Sequence, residues 1–361
     1  MRPWRLGPLN GRARGLQWTL LLTLSVLFVA IAEYLRLPAA LLLGPMIAAI
    51  LVGVGEGTIR VSRHPFIAAQ SLIGCMIGHS IPLSIVDELI LDWPLFLMGV
   101  VSVVVAASTL GWLLARWGFL PGTTAIWGTS PGASTAMILM SEAYGADPRL
   151  VAVMQYLRVV LVVIAASVVA RLWTTNSGAL PPATIWFPSI SWAPFLGTLA
   201  LAGCGAVLAT LLNIPAGALL LPLAGGMILQ AMGWLTIELP PWLLAISYAL
   251  VGWSIGLRFT RPILAYAMRT LPQMLVSIVA LIAICGLIAA ALVAAGVDPL
   301  TAYLATSPGG ADSVAIIAAS SNVDLRFVMA MQTARLVVVL CTSPSIARFI
   351  TRQVGGGRGE T

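Results

Sequence analysis

The sequence predicts an all-α polytopic membrane protein made of two inverted repeats, each with five transmembrane helices plus one broken, re-entrant helix. Three observations predict it. The first is composition: of 361 residues, 60% are hydrophobic and 9% charged, and the mean hydropathy is +1.01. A soluble domain is usually about a quarter charged, and a chain this apolar has too little polar surface to cover itself in water. That excludes a soluble globular enzyme, a disordered chain and a free nucleic-acid binder. Several runs reach the roughly 18 to 20 apolar residues needed to cross a bilayer. The second observation is a repeat: Thr129-Ser130-Pro131-Gly132 returns as Thr306-Ser307-Pro308-Gly309, 177 residues later. The third is that equivalent loops of the two halves carry opposite charge.

The elements follow in order. Residues 1–15 are an N-terminal tail with Arg2, Arg5, Arg12 and Arg14, followed by an apolar run over 16–32. Ala30-Ile31-Ala32 resembles a signal-peptidase site, so a cleaved signal peptide is one reading. The repeat includes this segment, which favours an uncleaved first span. Repeat 1 covers 16–172, with apolar segments at 16–36, 39–54, 66–82, 94–117, 122–143 and 149–172. A Pro/Ser/Trp-rich linker covers 173–191. Repeat 2 covers 192–350, with segments at 192–212, 216–233, 242–258, 270–295, 300–319 and 326–348, and 351–361 is a C-terminal tail. The offset of 177 also pairs Asp147 with Asp324, Arg149 with Arg326, Gln155 with Gln332, Arg158 with Arg335, Pro38 with Pro215 and Pro45 with Pro222. Gly74 and Gly78 pair with Gly252 and Gly256 at an offset of 178. Chance does not hold one offset over so much chain.

The formal net charge of +7 comes from arginine alone, because the sequence contains no lysine. In a soluble protein that would suggest nucleic acid; here arginine marks the cytoplasmic ends of spans, and no direct nucleic-acid binding is expected. The loop after the third segment holds Asp87, Glu88 and Asp92 in half one, but Arg258, Arg261 and Arg269 in half two. The loop after the second holds Arg60 and Arg63 against Glu238, and Arg116 after the fourth stands against Asp298. The halves therefore run in opposite senses, which requires an odd number of crossings in each. Five spans and one re-entrant hairpin meet that count and put both termini in the cytoplasm, leaving only Arg36, Arg171 and Arg326 outside.

The hairpin is the fifth segment of each half, because Ser-Pro-Gly cannot continue a helix. Broken helix at membrane depth survives only inside protein or beside a wet cavity. Two such breaks in matching positions of inverted repeats point to a transport site. Pro131, Gly132, Pro308, Gly309 and Gly310 free the backbone there. Thr129, Ser130, Ser134, Thr135, Thr306, Ser307 and Ser313 add hydroxyls. The competing reading is a kink whose hydroxyls bond the freed carbonyls.

Gln155-x-x-Arg158 and Gln332-x-x-Arg335 each place Gln and Arg on one helix face. A membrane-embedded Arg costs roughly 2.5 to 3.5 kcal/mol on insertion scales and needs a partner. It holds carbonyls freed by the hairpin, binds an anionic solute, or does both, since the two readings are not exclusive. Asp312 breaks the symmetry, since Thr135 occupies its place in the first half. It is expected either to pair with Arg335 or Arg158, or to carry a coupling H⁺ or Na⁺. Otherwise no cofactor or metal is expected.

Gly74-x-x-x-Gly78 and Gly252-x-x-x-Gly256 suggest close helix packing. Cys75, Cys204, Cys285 and Cys341 read as small packing residues, and His79 as an interfacial contact. With two histidines and four scattered cysteines there is no copper or iron ligand set. No Walker, Rossmann or hydrolase motif appears.

Over 129–162 and 306–339 the chain resembles the AbrB, or AbrB duplication, family of bacterial membrane proteins. Members have two halves, each with a Pro-Gly motif, an Asp/Arg pair and a Gln-x-x-Arg helix. Ser307-Pro308-Gly309-Gly310-Ala311-Asp312-Ser313 is the closer match; the first half departs, with Ala133 in place of a second Gly. The resemblance implies a multi-pass protein of the bacterial inner membrane, with the five-span inverted repeats of cation/proton antiporters and anion transporters. Family labels name an ammonia monooxygenase or a regulator of gene expression. The first fits poorly with the metal-ligand count, so no enzyme is expected; the second fits poorly with the short tails. The expected function is secondary transport of a small solute by alternating access, anionic if the arginines bind it. The lipid bilayer and that solute are the expected partners, and the assembly a homodimer. A membrane-embedded regulator is the alternative.

Overall fold

The computed structural model describes residues 9, 11–35, 37, 39–80, 93–118, 122–131, 134, 137–138, 141, 146–175, 186–214, 217–321 and 323–355. Among them the regular elements are all helices. They are α1 (Arg14–Tyr34), α2 (Ala40–Val54), α3 (Arg63–Ser80), α4 (Trp93–Arg116), α5 (Gly122–Thr129), α6 (Pro148–Thr175) and α7 (Trp192–Leu211). Then come α8 (Gly217–Ala231), α9 (Pro241–Gly256), α10 (Arg261–Ala267), α11 (Leu271–Ala294), α12 (Pro299–Thr306), α13 (Ala311–Ala319) and α14 (Leu325–Gly355). Six of these, within α1, α4, α6, α7, α11 and α14, are long and apolar enough to cross a membrane.

Two of the other expected spans, α2 and α8, are shorter. α2 and α8 have 15 residues each and carry Pro45 and Pro222 inside the helix. Most of α2 is buried in protein, from Ala40 through Gly53, so it does not have to match the thickness of a lipid core along its whole length. The region 258–269, read from sequence as a loop, contains α10, bent 50° from α9. Pro262 in its first turn is placed where a missing N–H costs nothing. Of the four cysteines, Cys75 and Cys285 are buried as expected, but Cys204 and Cys341 are exposed on their helices and are not packing residues.

The chain divides into two compact units. The first comprises residues 1–83, 167–264 and 319–321, and the second 84–166, 265–318 and 322–361. In the first unit, α3 packs on α8 and α9 packs on α2. A Cβ on Gly74 would collide with the carbonyl oxygen of Leu219, and one on Gly78 would lie 2.5 Å from that of Leu223. In the same way Gly252 faces the carbonyl of Leu42, where a Cβ would stand at 2.7 Å, and Gly256 faces that of Met46. These are the same contacts with the halves exchanged, since Leu219 and Leu223 are the repeat partners of Leu42 and Met46. Numbers rise together along each pair, so α3 runs parallel to α8 and α9 parallel to α2.

Pro222 also leaves the Ala218 carbonyl without its N–H four residues on, and the Ser71 hydroxyl donates to that oxygen at 2.9 Å. At one end of this unit Gly53 lies against the Phe259 carbonyl, and Arg261 pairs with Glu56 at 3.7 Å. Burial, and then the charge of Arg258, pull the Arg60 guanidinium below its ordinary value. At the other end His79 and Gln230 share a 2.8 Å hydrogen bond.

Candidate functional site

The second unit holds both Ser-Pro-Gly breaks. α5 stops at Thr129 and α12 at Thr306, and in each case the reason is the following proline. A helical carbonyl at Trp127 needs the N–H of residue 131, and one at Leu304 needs that of residue 308. Proline has none. In both halves a glutamine supplies the missing donor. Gln155 Nε2 donates to Trp127 O at 2.8 Å and to Ser130 O at 3.0 Å. Gln332 Nε2 donates to Leu304 O at 2.9 Å and to Ser307 O at 3.3 Å.

The arginine one turn on completes the clamp. Arg158 Nη1 donates to Ser130 O at 2.9 Å and Thr129 O at 3.3 Å, while Nη2 donates to Gln155 Oε1 at 2.7 Å. Arg335 Nη1 donates to Ser307 O at 2.6 Å, and its Nη2 donates to Gly309 O at 2.9 Å and Gln332 Oε1 at 2.5 Å. The glutamine oxygen thus orients the arginine while its nitrogen holds the break. Arg158 and Arg335 are 0% and 4% exposed, so neither reaches solvent in this state. Of the two sequence readings for the arginines, carbonyl holding is the one the geometry displays.

The hydroxyls divide. Thr129 Oγ1 donates to Ala125 O at 3.0 Å and Ser130 Oγ to Ile126 O at 2.8 Å, each back onto its own helix. Thr306 Oγ1 donates to Ala302 O at 2.9 Å and to Cys285 O on α11 at 3.2 Å, and Ser307 Oγ to Leu304 O at 2.9 Å. These four cap helix ends. Ser134 Oγ reaches Gln155 Oε1 at 3.5 Å, and Ser313 is buried in α13. Pro131, Pro308 and Gly309 are buried, and Gly310 partly so. Gly132 and Thr135 lie outside the described residues, and Asp312 is described only as the second residue of α13.

The two breaks are joined through α6. Gly309 packs against Val162, where a Cβ would stand at 3.0 Å, and Gly310 against Val159 at 3.9 Å. Both valines are on the helix whose Gln155 and Arg158 hold the first break. Crosswise, α14 packs on α5. Close approach on the first break is also set by Gly111 of α4, which lies against Thr129 Oγ1, and by Gly128 against Met154.

Sequence reasoning missed two threonines that lock the far ends of these hairpins. Asp147 N donates to Thr124 Oγ1 at 3.0 Å and Asp324 N to Thr301 Oγ1 at 3.2 Å. Each Asp then caps the next helix: Asp147 Oδ1 accepts from Arg149 N at 2.9 Å, and Asp324 Oδ1 from Arg326 N at 3.0 Å. Such caps are worth about 1 kcal/mol each. The signal was available, since Thr124 and Thr301 keep the 177-residue offset.

Residues 41–351, which contain both breaks and both clamps, match the family described as "Transition state regulatory protein AbrB". Over 338 residues the chain is 47% identical to "Putative regulator AbrB" of Escherichia coli (strain K12), covering 93% of this chain and 97% of that protein. It is 28% identical over 313 residues to "Uncharacterized protein YhjN" of Bacillus subtilis (strain 168), covering 80% of this chain and 79% of that one. With a match over most of its length that takes in both broken helices, the chain belongs to the AbrB family.

Proposed function

We propose that this protein is a secondary transporter of a small solute in the bacterial inner membrane, working by alternating access. The observation that carries the reading is the matched pair of broken helices, held by the same clamp and brought to one helix, α6, within one unit. Breaking a helix at depth exposes backbone dipoles that a soluble core would avoid, and transporters use such breaks for substrate and coupling ions. In this reading the halves are inverted and both termini are cytoplasmic. Support comes from the first unit, where the third helix of each half runs parallel to the second helix of the other. If consecutive helices reverse direction, the two halves run in opposite senses. Thr129, Ser130, Ser134, Thr306, Ser307, Ser313 and the breaks beside them form the solute region, with Asp312 the candidate for coupling H⁺ or Na⁺.

The experiment is metabolite profiling of a deletion strain against wild type, followed by uptake of the accumulated solute into proteoliposomes. Gradient-dependent uptake is the expected result. An uptake rate equal to that of empty liposomes for every solute that changes in the profile would reject the reading. A regulatory role is the second reading, favoured by the name of the Escherichia coli relative. It predicts that transcripts change in the deletion strain before any solute pool does.

A further inference from the structure

The two clamps leave a chemical residue that carbonyl holding does not explain. Every described partner of the two guanidinium groups is neutral: Thr129 O, Ser130 O and Gln155 for Arg158, and Ser307 O, Gly309 O and Gln332 for Arg335. Among the described side chains no carboxylate pairs with either, and the side chain of Asp312 lies outside that description. In each, Nη1 and Nη2 are engaged while the buried Nε–H has no acceptor among the described residues. A buried, unmet donor on a charged group costs more than one on a neutral group, and here it occurs twice in equivalent positions. The two cations also lie within reach of each other's field, with Cys285 of α11 in the field of both. A protein rarely keeps two like charges in its core without a counter-charge.

The surrounding backbone has the same polarity. α13 begins at the second break, with Gly310 O accepting from Val314 N at 3.0 Å, so the first-turn N–H groups of a nine-residue helix face back toward Gly309 and Gly310. A helix N-terminus favours negative charge. Gly310 lies against Val159, one residue beyond Arg158, so this helix start and the first-half arginine belong to the same neighbourhood.

We propose that this unit binds a small oxyanion, a carboxylate or a phosphate, which accepts hydrogen bonds from the Nε–H groups of Arg158 and Arg335 and faces the N-terminus of α13. The inference rests on the transport reading in that the oxyanion would be the solute or part of it. It differs from that reading in what it requires, which is binding.

The test uses wild-type protein in lipid nanodiscs at constant ionic strength, titrated with acetate, succinate and phosphate, with chloride as the reference. At least one oxyanion should raise the unfolding midpoint by several degrees, saturably, beyond chloride; which one responds separates carboxylate from phosphate. Arg158→Lys and Arg335→Lys keep the charge but lose Nε–H, and each should abolish the saturable rise. Because a lysine variant could fail to fold, a second measurement uses a protein whose other three cysteines are alanine. The responding anion should slow alkylation of Cys285 with the same half-saturating concentration. Three oxyanions indistinguishable from chloride overturn the proposal, and so does a full response retained in both lysine variants. Oxyanion binding without proteoliposome uptake would remove the transport reading and leave this site standing. Uptake of a neutral or cationic solute with no oxyanion response would do the reverse.

Discussion

At the scale of single residues, the protein solves one problem twice: how to end a helix inside an apolar core. Proline removes the N–H that Trp127 O and Leu304 O would have used, and Gln155 and Gln332 restore it. Gln155→Leu should therefore strand Trp127 O, while Ser130 O keeps its bond from Arg158 Nη1, and lower stability by about 1–3 kcal/mol. Pro131→Ala returns an N–H to the position opposite Trp127 O. The double variant Pro131→Ala/Gln155→Leu should recover part of the loss, read from unfolding midpoints in nanodiscs. No recovery would mean that Gln155 acts mainly through Arg158 and not through the break. Arg335→Met should cost more than Gln332→Leu, because it frees Gly309 O, leaves Ser307 O only the longer bond from Gln332, and takes the charged donor from Gln332 Oε1. Much of this was legible in the sequence. The Ser-Pro-Gly pair and the three-residue Gln–Arg spacing stood out, and counting four residues back from each proline identifies the orphaned carbonyl. What spacing alone did not decide was whether arginine serves carbonyls or solute. A guanidinium has donors enough for both, and only their directions show which group each one serves.

At the scale of helices, glycine decides which faces meet. The small-x-x-x-small patterns announced close packing, but a pattern names a face and not its partner, so the exchange of α3 onto α8 and α9 onto α2 was not legible. The short extents of α2 and α8 were legible, since the expected 39–54 and 216–233 became Ala40–Val54 and Gly217–Ala231, but the burial of α2 was not, because hydropathy cannot distinguish a helix buried in protein from one facing lipid. Gly78→Ala and Gly252→Ala would place a Cβ 2.5 Å and 2.7 Å from backbone oxygens, which cannot swing aside as a side chain can. Each should destabilise the protein by about 1–3 kcal/mol. Gly203 and Gly286 are the controls: both are mid-helix with open space around a Cβ. Alanine there should be neutral or stabilising by up to about 1 kcal/mol. Equal losses at all four positions, measured by thermal unfolding, would mean that helix–helix approach is not what these glycines set.

At the scale of the whole molecule, the proposed inversion becomes a statement about sides. α2 and α9 run parallel and finish together, with Glu56 paired to Arg261 and Arg60 in the field of Arg258. Half-one and half-two loops that occupy different places in the repeat thus share one end of the first unit, and that end is rich in arginine. Parallel α3 and α8 finish at a common end of their own, where His79 meets Gln230, and the loop after α8 leads to Glu238. Arginine accumulates on the cytoplasmic side of bacterial spans, whereas carboxylates carry little orienting weight. The arginine end should therefore be inside. In a cysteine-free background, Arg60→Cys and Arg261→Cys should react with a membrane-impermeant maleimide only after the membrane is opened. Glu238→Cys and Asp87→Cys should react in intact spheroplasts. The equivalent loops Asp87 and Arg261 are the decisive pair, since they follow the third segment of each half. Labelling of both from one side would make the halves a direct repeat, and the two breaks would then enter the membrane from the same face instead of from opposite ones.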